Sequence, residues 1–235
     1  MKTRTGIISI VAIICWSYSF PVLKAQTDTV PALTTSIGVD LVSRYVWRGL
    51  ELGSGPSIQP GFSATYKGFT IGTWGAYNLT GTGEQETDFF VSKTVGFLTV
   101  SVWDYWMNDH VSAVDFFNYR DKTTNHLLEA QVMVSGGEKL PFNFLASYIF
   151  YGADPSRSMY FELQYLPDLS LFDLMVFAGY QAKGEFYASD PGFVSMGCTV
   201  KKPVNITDRF SIPLSLSLIL NPVGRSAWLV AGITF

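Results

Sequence analysis

The sequence predicts an all-β protein, a transmembrane antiparallel up-and-down β-barrel of about twelve strands. Three observations predict it. Segments with apolar residues at alternate positions recur roughly every 12–20 residues, separated by turn-forming clusters. The chain is 48% hydrophobic and 15% aromatic. Yet no apolar stretch after residue 25 reaches the length of about 20 residues that a membrane helix needs. Residues 226–235 place Ala227, Leu229, Ala231, Ile233 and Phe235 on one strand face, and in lipid a strand with an open edge must close onto a partner.

The N-terminal segment reads as a cleaved signal peptide. Lys2 and Arg4 precede an apolar run over residues 6–16, followed by Pro21 and the small residue Ala25. Removing residues 1–25 takes away Lys2, Arg4 and Lys24, leaving 13 basic against 19 acidic residues and a net charge of −6. Nothing in that balance is basic enough to suggest a nucleic-acid partner, and none is expected. Cys198 is then the one remaining cysteine, so no internal disulfide staples the fold. The expected organisation is a leader at 1–25, a short periplasmic segment at 26–34, and an outer-membrane barrel at 35–235.

The first strand is expected over residues 35–49. Ile37, Val39, Leu41, Tyr45 and Trp47 share its lipid face, and Asp40, Arg44 and Arg48 its lumen face. A loop at 53–56 leads to strand two (57–66), which contains Pro60, a residue that cannot donate to the ladder. Lys67-Gly68 turns the chain into strand three (69–79), and a polar loop at 80–85 leads to strand four (86–95). Gly96 precedes strand five (97–106), and the longest loop, 107–123, precedes strand six (124–135). Strand seven covers 141–151 and strand eight 158–166. Strand nine (170–181) is almost continuously apolar, but Asp173 and Gln181 share a face. Strand ten (192–201) turns Val194, Met196, Cys198 and Val200 outward. Strand eleven covers 210–220, and residues 226–235 complete the set. An even count puts both termini on the periplasmic side and sends the loops 80–85, 107–123 and 182–191 to the outside.

Parity along these strands nominates eleven pore-lining residues: Asp40, Arg44, Arg48, Trp74, Glu86, Asp88, Glu129, Gln131, Glu162, Gln164 and Asp173. On one strand Arg44 and Arg48 lie roughly 13 Å apart. They form either an anion-selecting strip or the basic half of ion pairs with Glu86, Asp88, Glu129, Glu162 or Asp173 that brace the barrel. Trp74, Phe90, Tyr151, Tyr160 and Phe177 have inward parity and narrow the lumen. Tyr45, Trp47, Tyr66, Tyr77, Trp106, Tyr148 and Tyr165 suit an interfacial girdle.

No cofactor or metal is expected. Glu84, Glu86 and Asp88 alternate onto one face, but three carboxylates on one strand do not wrap an ion. The two histidines, His110 and His126, carry no nucleophile pattern. His126 has lipid-facing parity, but Ser101 and Ser147 on the neighbouring strands point inward, so no enzyme is expected.

Residues 43–75, SRYVWRGLELGSGPSIQPGFSATYKGFTIGTWG, resemble the TorF family of porin-type proteins. The likeness lies in Trp47-Arg48-Gly49, in Gly55 to Gln59, in Gly68-Phe69 and in Gly72 to Gly75, with Glu86, Asp88 and Leu220-Asn221-Pro222 further on. The C-terminal alternation ending at Phe235 resembles the assembly signal of Gram-negative outer-membrane barrels. These resemblances imply outer-membrane lipid and the barrel-assembly machinery as partners, and narrow passive diffusion of a small polar or charged solute, its identity unknown. The alternatives are a closed barrel that makes surface contacts through loop 107–123, an outer-membrane lipid-modifying enzyme using His126, and a soluble periplasmic sandwich or barrel.

Overall fold

The computed structural model describes residues 33–80, 83–108, 115–137, 140–207 and 210–235. The expected leader and most of the segment after it lie outside these residues, as does His110. Fourteen strands are present among the described residues. They are β1 (Thr34–Val42), β2 (Tyr45–Trp47), β3 (Leu50–Gly53), β4 (Ser57–Tyr66), β5 (Phe69–Asn78), β6 (Gln85–Val95), β7 (Leu98–Asn108), β8 (His126–Ser135), β9 (Phe142–Gly152), β10 (Met159–Tyr165), β11 (Asp173–Lys183), β12 (Gly192–Thr207), β13 (Phe210–Asn221) and β14 (Ser226–Thr234). Twelve of them close into an antiparallel barrel in the order β1-β14-β13-β12-β11-β10-β9-β8-β7-β6-β5-β4. The other two, β2 and β3, pair only with each other.

The wall is inverted relative to a water-soluble protein. Outward positions carry exposed apolar side chains all round the barrel: Ile37, Phe62, Ile71, Val100, Phe144 and Leu216 are each more than 40% exposed. Inward positions carry buried polar groups, among them Asp40, Gln59, Glu86, Asp88, Glu129, Gln131, Glu162, Gln164 and Gln181. Strand alternation of this kind suits a sheet with lipid outside and polar groups within. The long connections between β1 and β4, β7 and β8, and β11 and β12 all lie at one end. The opposite end is turned by tight links such as Lys67-Gly68, where both residues take positive φ.

Four expectations are corrected. The first strand stops at Val42, seven residues short of the predicted end, and residues 45–53 form the separate β2–β3 hairpin. Tyr45 and Trp47 are therefore buried inside the barrel and take no part in a lipid-facing girdle. Val194 is fully buried: a register shift between Gly179 and Tyr180 pairs Ser195 with Gly179 and Phe193 with Tyr180, so the intervening Val194 turns inward. A second shift, between Leu128 and Glu129 on β8, pairs Tyr151 with Leu128 and turns it to the outer wall. One irregular residue per strand is enough to reverse the parity beyond it.

β12 also runs on to Thr207, and with β13 it forms a long hairpin in which Pro203 faces Pro213. Neither proline has an N–H to leave unpaired.

The seam between β1 and β14 is the shortest in the barrel. Three residue pairs, Asp40 with Thr234, Leu41 with Ile233 and Val42 with Gly232, define its register. Val39 and Phe235 exchange hydrogen bonds below them, at 3.1 and 2.9 Å. Above them the Ser43 N–H reaches the Ala231 carbonyl at 2.8 Å. The Ala231 N–H donates in return to the Ser43 side-chain Oγ at 3.0 Å. The ladder ends there because the chain turns inward.

Candidate functional site

The β2–β3 hairpin crosses the lumen. It is a continuation of the β1–β4 hairpin, bent at Ser43-Arg44 on the way in and at Ser54-Gly55 on the way out. Its two-residue tip is Arg48-Gly49, with φ of 48° and 75°. Two positive φ values identify the tight turn type that matches strand twist. Glycine adopts that conformation freely, whereas arginine there costs on the order of 1–2 kcal/mol. The arginine is held by what its side chain reaches.

Arg48 lies buried against the wall opposite the β1–β4 pair. Its guanidinium forks onto Glu129 of β8, Nη1 to Oε1 at 2.6 Å and Nη2 to Oε2 at 3.1 Å. Nη1 also donates to Ser147 Oγ of β9 at 3.1 Å and to the Tyr187 hydroxyl. Three rings, Trp47, Tyr160 and Tyr187, lie within 5.5 Å of its central carbon. Glu129 is saturated in turn, accepting from the Tyr105 hydroxyl at 2.9 Å and from Gln131 Nε2 at 2.6 Å. Both ions are 3% exposed or less. A bidentate pair with every lone pair used is the arrangement that offsets the cost of burying two charges.

Other walls hold the rest of the hairpin. The Tyr45 hydroxyl donates to Glu86 Oε2 of β6 at 2.7 Å. Asn221, at the end of β13, donates from Nδ2 to the Gly49 carbonyl at 2.9 Å. Trp47 packs against Tyr105, Tyr187 and Phe186 at centroid distances of 5.1, 5.5 and 5.8 Å. Tyr187 comes from the β11–β12 connection, which Gln181 shapes. The Gln181 amide donates to the carbonyls of Gly184, Ala188 and Asp190 and accepts from the Tyr187 and Ala188 N–H groups. A twelve-stranded barrel is wider than the eight-stranded ones that side chains fill. Here a hairpin and an inward-turned loop occupy that extra width.

Gly49 is the closest approach. A Cβ there would sit 1.8 Å from the Val194 carbonyl oxygen. Gly49→Ala is therefore expected to unseat the hairpin while leaving the wall intact. The check is faster proteolytic cleavage between residues 43 and 56 in a barrel that still runs as a folded species on a gel.

The eleven nominated residues divide accordingly. Asp40, Glu86, Asp88, Glu129, Gln131, Glu162 and Gln164 are buried inside the barrel, and Trp74 is half-buried there beside Tyr45. Arg48 is inside as well, but at the tip of the hairpin rather than on the wall. Arg44 lies at the bend, half-exposed, and pairs with Glu51 across the hairpin, so the two arginines share no strand face. Asp173 is exposed at the far end of β11, within electrostatic reach of Lys201. Tyr160 and Ser147, which parity turns inward, belong to the site, and so do Tyr45, Trp47, Tyr105, Tyr187 and Asn221, which parity does not nominate as pore-lining. The positive-φ signal of Arg48-Gly49 is visible in the sequence only as an Arg-Gly pair between two apolar runs.

His126 sits on the outer wall. Nδ1 lies 2.6 Å from Asp104 Oδ1 of β7, and Nε2 lies 2.6 Å from the Phe116 carbonyl. The segment carrying Phe116 and Tyr119 folds over it, with Tyr119 stacked on its ring at 3.9 Å. Tyr119 donates to Asp104 Oδ2 at 2.6 Å, and Tyr151, turned outward by the bulge, donates to the Tyr119 carbonyl. Trp106 lies under the same segment, buried against Phe116. His126 is fully buried with both ring nitrogens engaged, the geometry of a clamp. His126→Ala or Asp104→Asn is expected to release this segment, read as faster cleavage between residues 115 and 123 with the barrel unaffected.

Burial and the neighbouring Asp104 carboxylate push the Tyr119 hydroxyl from 10.0 up to about 12. A raised pKa favours the protonated, folded form. The Tyr119 contribution to the clamp is therefore fully present below about pH 10 and is lost as the pH rises through about 12.

One solved structure, a KdgM porin, is similar over 86% of this chain and 98% of its own, at 10% identity and a TM-score of 0.49. No curated protein matches the chain. A family model described as "Bacterial protein of unknown function (Gcw_chp)" matches residues 25–194, a span that takes in the hairpin, Glu129 and Tyr187. The chain belongs to the Gcw_chp family.

Proposed function

We propose that this protein is an outer-membrane barrel that passes small polar or charged solutes by passive diffusion, through a lumen constricted by its own β2–β3 hairpin. The observation that carries this reading is the hairpin across the lumen, anchored by Arg48 on Glu129 of the far wall. The exposed apolar belt supports membrane insertion, since a sheet with that surface is stable in lipid only when closed. The predicted leader at 1–25 and the strand leading to Phe235 fit export and barrel assembly, and the reading places the chain among TorF-type porins.

The interior beside the hairpin is polar, as a conduit for polar solutes requires. Asp40 Oδ2, Asp88 Oδ1, Ser57 Oγ, Ser92 Oγ and Ser195 Oγ are buried without a protein partner among the described residues. The described site holds a hydrogen-bonded ion pair and aromatic rings, and His126 has no free ring nitrogen. This favours a conduit over a lipid-modifying enzyme.

Two measurements test the reading. The mature protein should stay with membranes through carbonate extraction. Reconstituted into liposomes, it should permit swelling with solutes of amino-acid size and slow sharply with disaccharides. Release by carbonate, or no swelling with any solute from a correctly folded barrel, would contradict it.

A further inference from the structure

Resting on that reading, we infer that the β2–β3 hairpin is a hinged gate that swings from the lumen into the wall and there completes the β1–β14 seam.

The register shows where it goes. Phe235 pairs with Val39, Ile233 with Leu41 and Ala231 with Ser43. The next rungs on β14 are Leu229 and Ala227, whose backbone groups point to the same side as those of Ala231. Among the described residues neither has a partner on that side, and Leu229 is 65% exposed. Continuing the same register assigns Leu229 to Tyr45 and Ala227 to Trp47. The open edge and the hairpin that would fill it are two parts of one interrupted ladder.

The movement exchanges the hairpin's contacts with the far wall for a ladder with β14 and leaves its internal pairing intact. The hairpin keeps its own pairing, Tyr45 with Gly53 and Trp47 with Leu50, nearly in line with the β1–β4 register below it. It can therefore move as a unit about the bends at Ser43-Arg44 and Ser54-Gly55. Two hydrogen-bonding residues on a strand edge facing lipid are costly until paired, and straightening pairs them. Tyr45 and Trp47 would leave an aromatic packing for the lipid interface, which favours these two residue types. Hydrocarbon is as apolar as a protein core, so little hydrophobic energy is lost. What the inward state has in its favour is the Arg48–Glu129 pair together with the Tyr45–Glu86 and Asn221–Gly49 hydrogen bonds.

The experiment uses full-length protein with Cys198→Ser and the pair Tyr45→Cys and Leu229→Cys. In the inward state Tyr45 reaches Glu86 on β6, away from β14, whereas in the straightened state the pair falls within disulfide distance. The control pair is Leu41→Cys with Ile233→Cys, already opposite each other. Under mild oxidation the control should cross-link fully and the test pair slowly. Adding Glu129→Gln should accelerate the test pair on the order of 100-fold, the population change that follows loss of a buried ion pair.

A control that cross-links beside a test pair that never does, even with Glu129→Gln, would overturn the gate. If the test pair cross-links but the locked barrel does not conduct ions, the hairpin moves as inferred and the pore reading is the one that falls.

Discussion

Replacing residues 46–51 with two glycines is expected to turn a narrow conduit into a wide one. The wall does not depend on the hairpin, because β1 pairs with β4 along its whole length and β14 is held by β13. What disappears is the buried block of Val46, Trp47 and Arg48 across the lumen. Eight-stranded barrels are filled by side chains and barrels of roughly 16–18 strands leave an aqueous channel. A cleared twelve-stranded barrel should pass solutes that the intact protein excludes. Cells producing the shortened protein should become several-fold more sensitive to bulky hydrophilic antibiotics than cells producing equal amounts of the intact one. Equal sensitivity at equal surface level would mean that the hairpin does not limit passage.

Substitution of Glu129 should have the second largest effect. Glu129→Leu leaves the Arg48 guanidinium buried among Trp47, Tyr160 and Tyr187 with no counter-ion. Breaking a buried pair on one side costs about 3–5 kcal/mol. Either the barrel loses stability of that size, or the hairpin leaves the lumen and hydrates its arginine. Both lower the denaturant midpoint for protection of the hairpin. The double variant Arg48→Met with Glu129→Leu removes both charges. It should regain most of the loss, since apolar replacement of a whole buried pair is often neutral or better. A double variant as unstable as the single one would show that packing, not charge, holds the hairpin.

Much of the barrel was legible because a wall in lipid allows little freedom. Each strand must alternate, each must pair on both edges, and turns must carry the residues that turns require. Strands such as β4, β5 and β13 therefore lie within a residue or two of their predicted bounds. The charged and amide residues of the interior were legible for the same reason, since Glu86, Glu129 and Gln164 on wall strands obey parity.

The hairpin was not legible, and its residues show why. Tyr45 and Trp47 continue the outward alternation of Ile37, Val39 and Leu41 without interruption. Nothing local distinguishes a strand that continues from one that folds inward at Ser43. The deciding interactions are distant in sequence: Arg48 with Glu129, Asn221 with Gly49, Tyr45 with Glu86. The outward turn of Tyr151 and the inward turn of Val194 escaped for a smaller reason. A single bulge residue reverses parity and carries no required residue type. His126 was placed on the outer wall by parity, but its cover comes from a segment whose fold no periodicity describes.

Single-channel conductance in planar bilayers, recorded side by side for the mature protein and for the protein shortened at residues 46–51, tests most directly whether the inward hairpin sets permeability. The expected result is small, infrequent steps for the intact barrel and steady steps several-fold larger for the shortened one. Equal conductance in the two, or silence from both when each is correctly folded, would contradict it.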